Sequence, residues 1–173
     1  MLEVHSRAIR QQYGLKYITA VPNNIYGRHD NFDLENGHVV PAIIRKLWEA
    51  KLTDTAPTFW GTGRPLREFT YSNDIARALL LLAENYDDPE PINIGNSGEI
   101  SIFDLVGRIS NALDIDYPDE EWNRSKPEGQ YRKPSRNNNF LDLFPDFKYT
   151  DIDTGLQETT CWFKENYPNV RGI

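Results

Sequence analysis

The chain has 173 residues, a formal charge of −7 at pH 7, and 39% apolar and 26% charged residues, proportions of an ordinary globular domain long enough for one core. The acidic balance argues against a general nucleic-acid or anionic-membrane surface, and the single cysteine, Cys161, excludes an internal disulfide or a thiolate metal cluster. The longest apolar run, 78–83, is too short to span a bilayer, and the opening MLEVHSRAIRQQYG has no apolar signal-peptide core, so a cytoplasmic location is expected.

Met1, Val4 and Ala8 align at helical spacing with Leu2, Ile9 and Tyr13 beside them, and Gly14 supplies the stop. Because the pattern is already helical at the first residue, further sequence is expected upstream. Residues 16–21 (KYITAV) read as a strand closed by a Pro22-Asn23-Asn24 turn. A polar loop follows over 26–37, and loops of that length in compact domains are often functional. Val40, Ile43, Ile44 and Leu47 predict a helix from His38 to about Ala50, with Pro41 tolerated in its first turn. Residues 58–60 and 66–71 read as strands around the turn 61–65. Ser72 is the predicted cap of a helix over 73–85, with Asp74 favourably placed at its positive end. A strand over 92–94 ends at Gly95. Ser101 and Asp104 form a capping pattern before the stripe Leu105, Val106, Ile109 and Leu113. The stretch 114–136 is mostly polar, with a strand near Glu121-Trp122 and a short helix over 139–143 after it. Thr154 to Gln157 is a second capping box, opening a terminal helix through Glu165. Strands alternating with helices predict a small α/β or α+β lobe. No G-x-G-x-x-G or G-x-x-G-x-x-G turn is present, so the chain shows no pyrophosphate cradle of its own.

Three histidines are present. His5 has no recognisable partner in its helix. His29 and His38 bracket the polar loop with Asp30, Asp33 and Glu35 nearby, but their spacing is not a zinc signature, and no metal is expected. His38 stands at a helix start, where an imidazole suits either a proton shuttle or a solvated cap. Lys46 follows on the same helix, Trp60 precedes the glycine turn, and Arg67 lies on the strand after it. Lys126, Arg132 and Lys133 sit in the polar segment SKPEGQYRKP. A planar base wants an aromatic or guanidinium face and a diphosphate wants Arg and Lys. Together these residues can make a nucleotide-diphosphate site; singly, such residues are more often surface charges or core indoles.

The stretches QQYG, VPNNIYGRHDNFDLENGHVVPAIIRK, FWGTGRPLREFTYSNDIA, NIGNSGEISI, SKPEGQYRK and LQETTCWFKENY together resemble the GDP-L-fucose synthases, which belong to the extended short-chain dehydrogenases/reductases. REFTYSNDIA and NIGNSGEISI mark extended-class nucleotide-sugar enzymes generally; YGRHDNF, GHVVPAIIRK and WGTGRPLREF mark the narrower branch. The resemblance implies the C-terminal part of an enzyme that binds NADPH in a Rossmann lobe, epimerises a GDP-4-keto-6-deoxy sugar at C3 and C5, and reduces C4. It implies a remnant of the Rossmann domain over 1–25 and a nucleotide-sugar lobe over 26–173. Pro22, Asn23, Asn24 and Ile25 would line the nicotinamide end of the cofactor. His38 would be the acid that reprotonates the sugar carbon and would also approach the cofactor. Lys46, Trp60 and Arg67 would hold the nucleotide, and Glu128 and Lys133 would approach the substrate. The family's Tyr-x-x-x-Lys pair, its cofactor glycines, its active-site serine and its epimerisation cysteine are not in this sequence, and Cys161 does not match that cysteine. Lys46 stands where the family often has Arg, and Asn73 where an acid is common.

NADP(H) is therefore the expected cofactor of the complete enzyme, with no tight binding to this chain alone. The expected partners are a GDP-sugar and either a complementary Rossmann half or a second copy of the chain. The alternatives are a stand-alone nucleotide-sugar-binding module, a split enzyme completed by another polypeptide, and a part of another extended-class epimerase or dehydratase.

Overall fold

The computed structural model describes residues 2–116 and 121–173, so Met1 of the predicted first helix lies outside the described residues. The element order is α1 (Leu2–Tyr13), β1 (Ala20–Pro22), β2 (Asn24–Tyr26), α2 (Val39–Thr53), β3 (Thr58–Trp60), β4 (Leu66–Tyr71), α3 (Ser72–Asn85), β5 (Ile92–Ile94), β6 (Glu99–Ser101), α4 (Ile102–Leu113), β7 (Glu121–Asn123), α5 (Asn138–Leu143) and α6 (Ile152–Asn166). This is the mixed α/β lobe the sequence predicts. Among the described residues no helix is long and apolar enough to cross a membrane.

The strands make three small sheets. β1 runs parallel to β5, β2 parallel to β4 with β6 antiparallel on the far side, and β3 parallel to β7. The predicted strand over 16–21 is shorter and later. Its partner β5 has only three residues, so the ladder holds Ala20–Pro22 and leaves residues 16–19 outside it. The predicted turn at Pro22-Asn23-Asn24 is instead a change of partner. Pro22 still lies opposite Ile94, the Asn23 N–H reaches the Ile94 carbonyl at 3.1 Å, and Asn24 starts a new ladder opposite Phe69. Proline fits a strand end because it has no N–H to donate.

Two apolar clusters form. The larger gathers Ile44 and Leu47 of α2, Leu105 and Ile109 of α4, and Leu156 and Phe163 of α6 beneath Tyr26, Phe69 and Tyr71. The smaller packs Ile75, Ala78 and Leu82 of α3 against Ile92, Ile94 and Phe140. Fully buried aliphatic side chains such as Ile44 and Leu47 each contribute roughly 1.5–3 kcal/mol.

Helix starts divide by chemistry. Ser101 caps α4, accepting from the Asp104 N–H at 2.9 Å and donating to its carboxylate at 2.7 Å. α3 begins at Ser72 itself, because β4 runs straight into the helix and Tyr71 takes the cap position without a side-chain bond. α6 begins at Ile152, two residues before the predicted box: Asp151 lies earlier and accepts from the Asp153 N–H at 2.9 Å. β6, unread in the sequence, pairs with the first half of β4 and sets Ile100 beside Arg67.

Candidate functional site

β3, β4, the start of α2 and the segment 126–130 converge on Trp60. This indole closes β3 and is 50% exposed. The Lys46 ammonium lies 5.4 Å from its ring centroid and the Lys126 ammonium 5.3 Å, within cation–π range. Lys46 also donates to the Thr58 carbonyl at 3.0 Å, and burial pulls its ammonium below the ordinary lysine value.

The turn after Trp60 needs its glycines. Gly61 (φ +78°) and Gly63 (φ +71°) are left-handed, and a Cβ on either would come within 2.6 Å of Glu128 or of the Trp122 ring respectively. Between them Thr62 donates its N–H and hydroxyl to one oxygen of Glu128, at 2.6 and 2.7 Å. These bonds from Thr62 hold the Glu128 carboxyl below the usual carboxylate range. Glu128 thus pins the turn with one oxygen. Arg67 is anchored on the Leu66 and Gln130 carbonyls at 2.6 and 2.7 Å, which fixes its guanidinium without neutralising it.

Two cavities meet at Val39, Trp60 and Ile102. One, of about 230 Å³, is walled by Leu34, Glu35, Ile43, Lys46 and Phe59. The other, of about 240 Å³, is walled by Asn24, Pro65, Arg67, Phe69 and Glu128. Lys46, Trp60, Arg67, Glu128 and Asn24 are therefore brought together. Lys133 is exposed and lines neither cavity; Lys126, seven residues before it, is the lysine that reaches Trp60. The apolar walls Val39, Phe59 and Ile102 carried no site signal in the sequence. A larger cavity, of about 530 Å³, lies between α4 and α6 among Asp104, Arg108 and Asp153. None of the candidate residues lines it, and its Arg108 and Asp153 neutralise each other at 2.6 Å.

His38 takes the N-cap position of α2 without making a cap bond, and its side chain is 80% exposed with Nδ1 3.6 Å from the Asp30 carboxylate. Pro22, Asn24 and Ile25 are exposed as well. His29 departs from it: its backbone is left-handed (φ 64°) and its ring packs on Trp162 at 4.5 Å. Among the described residues no group of three or more His, Cys, Asp or Glu side chains can hold a metal.

The 22–25 segment is rigid. The Asn23 amide donates to the Asn96 carbonyl at 2.9 Å and to Glu68 at 3.3 Å, and its oxygen accepts from Thr70 at 2.7 Å. Asn24 donates to the Glu68 carbonyl at 2.7 Å. Glu68, only 2% exposed, also accepts from the N–H and hydroxyl of Ser135. Pro22 and Ile25 keep their side chains exposed. The Asn23 side chain is used internally, and the sequence offers no glycine-rich turn for the phosphates.

Residues 1–95 match the NAD dependent epimerase/dehydratase family. A GDP-L-fucose synthase of Dictyostelium discoideum is 37% identical over 173 residues, covering 99% of this chain and 54% of that protein. A crystal structure of a GDP-L-fucose synthetase from Naegleria fowleri bound to NADP superposes with a TM-score of 0.92 at 36% identity, over 98% of this chain and 55% of that one. A UDP-N-acetylglucosamine 4-epimerase from Methanobrevibacter ruminantium, in complex with UDP-N-acetylmuramic acid, matches at a TM-score of 0.79 and 26% identity, over 95% and 51%. The chain spans about half the length of the curated relatives it matches.

Proposed function

The chain belongs to the NAD dependent epimerase/dehydratase family, and we propose that it is the GDP-sugar-binding part of a GDP-L-fucose synthase, acting in NADPH-dependent epimerisation at C3 and C5 and reduction at C4 of a GDP-4-keto-6-deoxy sugar. The observation that carries this reading is the pair of cavities meeting at Trp60, one ending at Lys46 and the other at Asn24. An indole face flanked by two ammoniums suits a base and its diphosphate. Arg67 and Glu128 then bracket the route to the 22–25 segment, so a sugar leaving the diphosphate points toward the nicotinamide wall. His38, exposed at the start of α2, is assigned the proton delivered to the sugar carbon; Lys133 is assigned a place at the substrate entrance.

NADP(H), when bound, supplies the hydride. Pro22, Asn23, Asn24, Ile25 and His38 would border its nicotinamide end. We assign residues 1–25 to the cofactor half and 26–173 to the substrate lobe. Support comes from α1, which buries no residue against the rest of the described chain. The exposed faces of α1 and β1 are assigned to a Rossmann half that supplies the phosphate cradle and the donor for the enolate formed when a proton leaves beside the C4 ketone.

Calorimetry tests the assignment. GDP and GDP-mannose should bind the chain, and Trp60→Ala should weaken both by about tenfold or more, in line with a lost stacking face. No heat at saturating nucleotide, or no effect of Trp60→Ala, would overturn it. With NADPH and the 4-keto sugar the chain alone should show no reduction, since positioning supplies roughly 7–11 kcal/mol of barrier lowering and this chain carries one wall of the cofactor site.

A further inference from the structure

The cavity of about 230 Å³ is apolar apart from two charged side chains, Lys46 and Glu35. Lys46 is engaged with Thr58 and with the Trp60 face. Glu35 is different, because its carboxylate makes no hydrogen bond or ion pair among the described residues. The backbone that carries it is nevertheless fixed. One oxygen of Asp33 accepts from the N–H groups of Glu35 and Asn36 at 3.0 and 2.6 Å, and the Gly37 N–H closes the turn on the Asp33 carbonyl at 2.9 Å. A Cβ at Gly37 would come within 2.2 Å of that carbonyl, so the tightness of the turn is built in. A free carboxylate is thus held on a rigid turn at the rim of a slot whose other walls are Leu34, Ile43, Phe59 and Trp60.

We propose that Glu35 selects the base, reading the two parallel donors of guanine, N1–H and the N2 amino group. This rests on the assignment of the paired cavities to a nucleoside diphosphate, with the base in the cavity farther from Asn24. An ionised carboxylate only accepts hydrogen bonds and offers two oxygens side by side. Guanine alone of the common bases presents two adjacent donors on one edge. Adenine sets an acceptor beside its amino group, and uracil and thymine flank their single N–H with carbonyl oxygens, which the carboxylate repels. Discrimination then comes from both the matched donors and the repulsion between facing acceptor lone pairs.

Calorimetry with GDP, IDP and UDP on the chain and on Glu35→Ala tests this. IDP lacks the N2 amino group and is otherwise the same shape. The chain should prefer GDP over IDP by about tenfold, the value of one hydrogen bond to a charged acceptor, and UDP should bind more weakly than either. In Glu35→Ala the GDP preference should disappear, with IDP affected less than GDP and the far-ultraviolet circular dichroism unchanged. A GDP preference that survives in Glu35→Ala overturns the role of Glu35 while leaving the nucleotide site standing, provided GDP binding still requires Trp60. Absence of binding by all three nucleotides overturns both.

Discussion

Two helical glycines of this chain face opposite environments, and the difference predicts opposite signs for one substitution. Gly107 lies in α4 with nothing within 4 Å of the position a Cβ would take. Gly155 lies in α6, where a Cβ would sit 2.2 Å from the Tyr26 hydroxyl and 3.3 Å from the Tyr71 ring. Tyr26 cannot easily give way: it is 2% exposed, its hydroxyl donates to the Ile152 carbonyl at 3.3 Å, and burial pushes that hydroxyl's pKa well up. Alanine is the better helix former by about 1 kcal/mol. Gly107→Ala should therefore raise stability by about 0.5–1 kcal/mol, whereas Gly155→Ala should lower it by about 1–3 kcal/mol through overpacking. Urea unfolding of the two variants checks both; stabilisation by Gly155→Ala would contradict the packing of α6 on β2 and β4.

At the scale of elements, α1 is held by charge. None of its residues is buried. Arg7 pairs with Glu90 at 2.9 Å, Arg10 with Asp87 at 2.7 Å, and Lys16, just beyond the helix, with Asp87 at 3.1 Å. Such exposed pairs are weak and screened by salt. Hydrogen–deuterium exchange should show α1 amides losing protection on going to 1 M NaCl while α2 amides do not. The pH dependence follows from Asp87, whose carboxyl the hydrogen bonds from Arg10 and Lys16 hold below its ordinary value of 3.8. A depressed carboxyl contributes fully above the unfolded value and loses its contribution as pH falls through the folded one. α1 should therefore stay docked at neutral pH and release below about pH 3.8. The same helix shows what the sequence carried and what it did not. Its 3.6-residue period and the Gly14 stop are local, as are the stripes of α2 and α4 and the Ser101 cap, and all were legible. The length of β1 depended on β5 some seventy residues away, and the start of α6 on a choice between Asp151 and Thr154. In the candidate site, Trp60, Lys46, Arg67 and Glu128 were legible through family resemblance. That Lys126 rather than Lys133 reaches the indole depended on the path of a polar segment with no period to read.

For the whole molecule, the exposed apolar side chains are concentrated at one end of the chain. Leu2 and Val4 are 79% and 68% exposed, and Tyr13, Leu15, Tyr17, Val21 and Ile25 are open as well. β1 pairs only with β5 among the described residues, so its other edge offers unpaired backbone groups beside Val21. Exposed apolar side chains near a free strand edge promote association. The formal charge of −7 opposes non-specific clustering, so association should be confined to this face and saturate at small oligomers. Light scattering over a concentration series should show mass rising toward a dimer or slightly beyond. Val21→Lys, which places a charge at the strand edge without touching either core cluster, should return the monomer and leave GDP binding at Trp60 unchanged. A strictly monomeric chain at every concentration would show that the 2–25 face needs no cover, and would remove the support that α1 and β1 lend to docking against a Rossmann half.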